Sequence, residues 1–513
     1  MITRRTTLSA LSAAALLPAC GRGGGASADT LRVGLGGSPD SLDPLRAEFA
    51  VSAIIFRQIW LPLTRKQADG STGPGIAQRW AASADYKTWT FTLRPDLKWS
   101  DGAPITAEDV VGTFRLAADP ATAFPDAPDL YRIEGFPEAV LGKAAPEAIG
   151  VRALPGGVVE VRLTVPDAGL AESLDEFYPV PAATRARHGQ SWTQPENIVV
   201  SGPYKPTRVT QTEMTFERNP TYSSPTPIAR VFVQAIDDSA TRVRMFRSGD
   251  LDLAQDPPFS QIDSLAERFG PQLKRFQAPR IFYLSFNTSK APFDNPALRR
   301  ALASVIDREL IARSVFRGAV DPAFQLLRGP ARRTPVGKEA LEAAVATMRA
   351  LGYSPENPLK LELSVVNDER ARVALLVQDM WKPLGVAAEI FGGEQTGIVT
   401  KLNQGEFDVG LTRLDRGLKD AGLEMLEAFS SRGTAQSHRW KDPAFDGLLD
   451  QARAVPPGPE RDALVNQADD VMGAAAPIAP LYFGPGLWLA GERLKGADAG
   501  RLPPVFWDRL SLA

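Results

Sequence analysis

Polar and apolar residues alternate strictly in Thr88-Trp89-Thr90-Phe91-Thr92-Leu93, which puts Trp89, Phe91 and Leu93 on one face of a half-buried strand. Arg94-Pro95-Asp96 then turns the chain. After Trp99-Ser100-Asp101-Gly102, Thr106 and Asp109 form a capping-box variant that predicts a helix over residues 107–116. Apolar, β-branched runs predict further strands over residues 31–35, 230–236, 282–286, 359–365 and 407–411. Asn295-Pro296 opens a predicted helix, with Asn295 as cap, Pro296 in the first turn, and Leu298, Leu302, Val305 and Ile306 on one stripe. Asp307 breaks that stripe and caps a second predicted helix through Leu310, Ile311 and Val315. Many short elements of both kinds predict an α/β (mixed α+β) protein.

A chain of 513 residues exceeds what one hydrophobic core usually supports, so at least two domains are expected. Its 43 prolines are spread along the whole length, which suits many connections in one scaffold rather than a linker between beads. No internal repeat is visible.

The N-terminus changes the picture. Arg4 and Arg5 precede a short apolar run from Leu8, and that run ends at Leu17-Pro18-Ala19-Cys20, which contains the only cysteine of the chain. Small residues before a thiol that can be acylated predict a lipoprotein signal peptide over residues 1–19. The lipidated Cys20 and a Gly/Ser/Ala tether would then occupy residues 20–28. The other reading is an ordinary secretory leader with a chance cysteine. Thr3-Arg4-Arg5-Thr6-Thr7-Leu8 resembles a twin-arginine export signal, although Thr7 stands where an aromatic is usual. No later apolar run is long enough to span a bilayer, so the lipid is the expected anchor, with the remainder extracytoplasmic in the periplasm or at the cell surface.

Acylation of Cys20 leaves no thiol for disulfides, metal thiolates or nucleophilic catalysis. His188 and His438 are the only imidazoles, and their unrelated surroundings predict two surface histidines rather than a metal site. A formal charge of −2, more negative once Arg4 and Arg5 are removed, leaves no nucleic-acid footprint. His-Glu-x-x-His, Gly-x-Ser-x-Gly and phosphate-loop motifs are absent from the sequence. In Gly34-Leu35-Gly36-Gly37-Ser38-Pro39, Pro39 stands where a dinucleotide turn needs its third glycine, so this is a strand-end turn and no cofactor is expected. A carboxylate pair for glycoside hydrolysis stays open among 60 acidic residues.

Ser41-Leu42-Asp43-Pro44, Gly75-Ile76-Ala77-Gln78-Arg79-Trp80 and the run from Lys87 to Gly102 resemble bacterial extracellular solute-binding proteins of family 5, the peptide-binding components of ABC importers. The resemblance continues in order through Trp192-Thr193-Gln194-Pro195-Glu196-Asn197, Ser201-Gly202-Pro203-Tyr204 and Glu217-Arg218-Asn219-Pro220. It then covers Pro292-Phe293-Asp294-Asn295-Pro296, Ile306-Asp307-Arg308 and Ile478-Ala479-Pro480-Leu481-Tyr482, and is closest to the oligopeptide-binding members. It implies a two-lobed clamp, monomeric, that captures a peptide or peptide-like solute and hands it to a permease. Residues 29–60, 181–279 and 477–513 would form one lobe, 61–180 an insert domain, and 280–476 the other lobe. The segment from Trp89 to Trp99 then reads as core of the insert.

Family peptide binders carry Gly-Trp-x-x-Asp-Tyr after a Phe-Asp strand, and its aspartate neutralises the peptide ammonium. On that alignment Leu414 stands at the tryptophan and Gly417 at the aspartate, which argues against recognition of a free N-terminus at this point. Asp415, two residues earlier, is a possible substitute displaced by about 7 Å along an extended chain. The charged stretch from Arg413 to Asp420 reads equally as a solvated loop or as a rebuilt ligand site. The resemblance also implies that Arg280 pairs with Asp415. Its cleft-lining positions are Glu48, Phe49 and Ala50, then Phe282, Tyr283, Leu284 and Ser285, then Arg413, Asp415 and Gly417. Strand alternation allows only one of Phe282 and Tyr283 to face the cleft. Three classes stay open: a peptide-delivering binding protein, the same clamp serving a non-peptide solute or a sensor, and a secreted hydrolase.

Overall fold

The computed structural model describes residues 29–513 except 68, 331, 333–336, 416–421, 498–502 and 504. The leader, Cys20, the tether and Gly417 therefore lie outside the described residues. The alternating segment forms the strand Thr88–Leu93, with Trp89, Phe91 and Leu93 buried. It pairs antiparallel with Ala77–Ala82 and Val158–Arg162, and Val151–Leu154 completes a four-stranded sheet. The capping box forms as expected: the Asp109 amide donates to Thr106 Oγ1 at 3.2 Å and the Thr106 amide to Asp109 Oδ2 at 2.9 Å. The helix that follows, Ala107–Ala118, buries Val110, Val111 and Phe114, and Phe114 stacks on Phe177 with centroids 4.0 Å apart.

Two long antiparallel strands, Leu273–Phe286 and Ile478–Ala490, occupy the middle of an 11-stranded sheet. One flank continues through Val409–Asp415, Leu359–Val366 and Val386–Gly393. The other runs through Leu253–Gln255, Thr30–Leu35, Arg230–Ala235, Glu213–Arg218 and Tyr204–Val209. The ladder between the two long strands breaks between Gln277 and Ile281, where Pro279 has no amide proton to donate. On either side of that break the strands belong to different flanks of the sheet.

The first long strand begins earlier than residues 282–286 because Leu273-Lys274-Arg275-Phe276-Gln277 is charged and only partly buried, and carries no hydrophobic-run signature. The strand predicted over 407–411 is displaced to Val409–Asp415. Phe407 instead joins a small cluster with Val366, Ile398 and Leu402, and the Asp408 carboxylate accepts from the Glu362 amide and from Lys290 Nζ. Asn295 and Asp307 cap Pro296–Ser304 and Arg308–Phe316 through the amides of Ala297 and Leu310. The first of these helices stops one residue before Val305, yet Val305 and Ile306 stay buried.

A single contiguous core joins Leu31, Val33, Tyr204, Phe216 and Trp507 to Trp89, Phe91, Trp99 and Phe114, so the four-stranded sheet is fused to one flank of the large sheet. A second core gathers Leu284, Phe286, Leu298, Leu302 and Trp381, and a helical third gathers Tyr283, Leu426, Phe429, Phe445 and Leu449. His438 corrects the expectation of two surface histidines. It is 0% exposed, lies against Phe429 and Trp440, and accepts the Trp440 amide on Nδ1 at 3.0 Å. His188 is half-buried at the end of Ala182–His188. Among the described residues no helix is long and apolar enough to cross a membrane.

Candidate functional site

A cavity of about 230 Å³ opens at the break between the two long strands. The parallel strands of both flanks end here. Leu253–Gln255, parallel to Thr30–Leu35, delivers Asp256. Leu359–Val366, parallel to Val409–Asp415, leads into Asp368, Glu369 and Arg370, while Arg413 lies near the end of its neighbour. Side chains from the carboxyl ends of parallel strands converging on one crevice are the usual origin of ligand sites in such sheets. The apolar wall is aromatic: Phe282 stacks on Tyr482 at 4.5 Å, Phe316 tilts against Tyr482 at 4.6 Å, and Phe259 meets Phe316 edge-on at 5.1 Å.

Most charges around this cavity are already matched. Arg280 and Asp415 are register partners in adjacent strands, and Arg280 Nε donates to Asp415 Oδ2 at 2.6 Å. Burial pushes the Arg280 guanidinium down, but Asp415 and Asp256 more than offset it and leave it above its ordinary value. Arg370 is clamped by Asp368, with Nη2 to Oδ2 at 2.6 Å and Nε to Oδ1 at 2.9 Å, and donates to Gln395 Oε1 at 2.8 Å. Asp256 differs. Burial raises its carboxyl above the ordinary range, with Arg280 and Arg242 opposing. Arg413 is lowered by burial and by repulsion from Arg280. Asp256 also has a left-handed backbone, φ +44°, held by its amide donating to the Leu487 carbonyl and its carbonyl accepting from Arg242.

Of the positions singled out from sequence, Phe282 and Arg413 line this cavity, and Asp415 is held against its wall by Arg280. Tyr283 points to the opposite face and packs on Phe429 with centroids 5.2 Å apart, as alternation requires. Leu284 and Ser285 are fully buried away from it, Ser285 sharing a 2.9 Å hydroxyl contact with Ser437. Glu48, Phe49 and Ala50 do not line it; they form the entry to the helix Ala50–Ile59, where Asp40 accepts the Glu48 and Phe49 amides. Phe49 is 60% exposed. Sequence reasoning missed Asp256, Asp368 and Arg370, although charged residues just past strand ends were the signal that could have found them.

A second set of contacts joins the fused core region to the opposite half. Arg453, ending the helix Pro443–Arg453, donates from Nη1 to Asp167 Oδ2 at 3.0 Å, and its carbonyl accepts the Ala168 amide at 2.8 Å. Asp167 is fully buried and also pairs with Arg132. Arg461 Nη1 reaches Glu172 Oε2 at 3.3 Å. Nothing in the sequence announces these pairs, since isolated charges hundreds of residues apart leave no local pattern.

Comparison with known proteins agrees with this architecture. The sequence profile described as "Bacterial extracellular solute-binding proteins, family 5 Middle" matches residues 72–436. The chain is 30% identical over 466 residues to the probable deoxycholate-binding periplasmic protein YgiS of Escherichia coli, covering 87% of this chain and 86% of that one. It is 29% identical over 518 residues to the oligopeptide-binding protein OppA of Bacillus subtilis, covering 94% of each. The crystal structure of Haemophilus influenzae OppA in complex with RPPGFSPFR superposes with a TM-score of 0.80 at 26% identity, covering 94% of this chain and 99% of that one. The mixed α/β, two-lobed fold of these proteins is the fold seen here, and the chain belongs to the bacterial extracellular solute-binding proteins of family 5.

Proposed function

We propose that this protein is an extracytoplasmic, lipid-anchored solute-binding protein that captures a peptide or peptide-like solute between two lobes and delivers it to the permease of an ABC importer. The observation that carries the proposal is the cavity at the break of the long strands, where strand ends from both flanks of the sheet bring charged side chains to an aromatic wall. Supporting it, family relatives include oligopeptide-binding proteins, and several are periplasmic. In this reading residues 29–60, 181–279 and 477–513 make one lobe, 61–180 its insert, and 280–476 the other, and the ladder break between Gln277 and Ile281 supports a boundary there. In this reading Phe282 and Arg413 face the solute, while Glu48, Phe49 and Ala50 stand outside this cavity. Binding then acts by differential affinity for the closed state, whose shape the permease reads.

A non-peptide solute is the second reading, favoured by the aromatic wall and by Leu414 and Gly417 at the positions where peptide binders carry tryptophan and aspartate. A thermal-shift screen of the purified protein against di- to pentapeptides, bile acids, sugars and metal chelates separates the two. Peptides that raise the melting temperature with concentration support the first, because a ligand of the folded state stabilises by mass action. Stabilisation by another class alone supports the second.

A further inference from the structure

After Arg280–Asp415 and Arg370–Asp368 are matched, three charged groups at the cavity have neither a hydrogen bond nor an ion pair among the described residues: Asp256, Glu369 and Arg413. Glu369 sits in the first turn of the helix Glu369–Trp381, where the helix dipole already compensates a negative charge. Asp256 and Arg413 have no such compensation. They stand on opposite flanks of the sheet, one past Leu253–Gln255 and the other on Val409–Asp415. A half-buried carboxylate and a more exposed guanidinium, each lining one cavity without a side-chain partner among the described residues, are complementary to a solute that brings both charges.

We propose that Asp256 is the ammonium anchor and Arg413 the carboxylate anchor of a zwitterionic solute, a short peptide with both termini free. This rests on the reading of the cleft as a peptide site and moves recognition of the N-terminus away from the position now held by Gly417. Asp415 does not take over that role, because Arg280 engages it. The backbone at Asp256 supports the assignment: the left-handed conformation, fixed by Leu487 and Arg242 and followed by Pro257-Pro258, holds the carboxylate at the cavity with little freedom to turn away. The other charged groups around Asp256 are Arg280, Arg242, Asp415 and Arg413. With Arg280 committed to Asp415 and Arg242 to backbone carbonyls, an incoming ammonium meets a carboxylate that no side chain has claimed.

Titration calorimetry at pH 7.5 with trialanine and pentaalanine, each free, N-acetylated or C-amidated, tests the proposal on the wild type, Asp256→Asn and Arg413→Gln. Acetylation is expected to weaken wild-type binding by about tenfold or more, and to cost little further in Asp256→Asn. Amidation should pair with Arg413→Gln in the same way. Free and acetylated peptides that bind the wild type equally overturn the proposal while leaving the peptide reading intact. So does an acetylation penalty that persists undiminished in Asp256→Asn. If neither peptide binds in any form, the anchor assignment and the peptide reading fall together. If a variant does not fold, equal binding of free and acetylated peptides by the wild type still overturns the proposal, and Asp256→Glu, which keeps the charge, takes the place of Asp256→Asn as the variant that must change the acetylation penalty.

Discussion

Arg280 and Asp415 face each other across adjacent antiparallel strands, and the 2.6 Å contact between them ties the first strand past the ladder break to the charged segment that follows Val409–Asp415. Both side chains are mostly shielded from water, so removing one takes a charged hydrogen-bond partner from the other. Arg280→Ala is expected to lower stability by about 1–3 kcal/mol. Restoring balance with Asp415→Ala in the same chain should recover part of that loss in a double-mutant cycle. Urea denaturation of the four species checks it, and additive losses would show that the pair contributes no coupling.

The contact of Arg453 with Asp167 joins the two halves at a place remote in sequence from the strand crossover. If closure is what binds solute, loosening this contact favours the open form. Arg453→Ala, which leaves Asp167 its second partner Arg132, should weaken solute binding about five- to tenfold with little change in cavity residues. Small-angle scattering of the liganded variant should show a larger radius of gyration than the liganded wild type; equal values would contradict the latch.

Two buried groups give opposite pH dependences. Burial, with Arg439 adding, pushes His438 down to about 4, so the folded state holds it neutral while the unfolded chain protonates it near the ordinary value. Its contribution is complete above about pH 6.5 and is lost as pH falls towards 4. Asp175 is pushed up to about 7 by burial, against the pull of Lys66 at 3.3 Å. Its carboxyl binds a proton more tightly folded than unfolded, so its contribution is largest below about pH 4 and is lost as pH rises through 7. His438→Asn should therefore flatten a rise of stability with pH between 4 and 6.5, and Asp175→Asn a fall between 4 and 7. Urea midpoints across that range read both slopes.

Membrane attachment is expected to depend on Cys20 alone. Cys20→Ser should abolish incorporation of labelled palmitate and release the protein from the membrane fraction, since among the described residues no helix is long and apolar enough to cross a membrane. Retention of the variant in the membrane fraction would require a different anchor.

What was legible in the sequence was local. The alternation of Trp89, Phe91 and Leu93 and the reciprocal bonds of Thr106 and Asp109 depend on neighbours within a few residues, and both appear as read. The Arg280–Asp415 pair was reached through family resemblance, because 135 residues separate its members. Leu284 was set at the cleft by family resemblance and shares a strand face with Phe282, but two residues farther on that face packs into the second core rather than lining the cavity. His438 looked like a surface residue by composition, and only the packing of Phe429 and Trp440 buries it. Asp256 and Arg370 stand just past strand ends, which is a local signal, but the meeting of those ends at one cavity exists only in the folded sheet.

The most direct test of the central claim is calorimetric titration of the purified protein with a free tripeptide, followed by mass spectrometry of the recovered ligand. Saturable binding of one peptide per protein, with the peptide recovered intact after prolonged incubation, is the predicted result. Absence of binding across a peptide library would contradict peptide capture, and recovery of cleaved peptide would contradict a protein that binds and releases its solute unchanged.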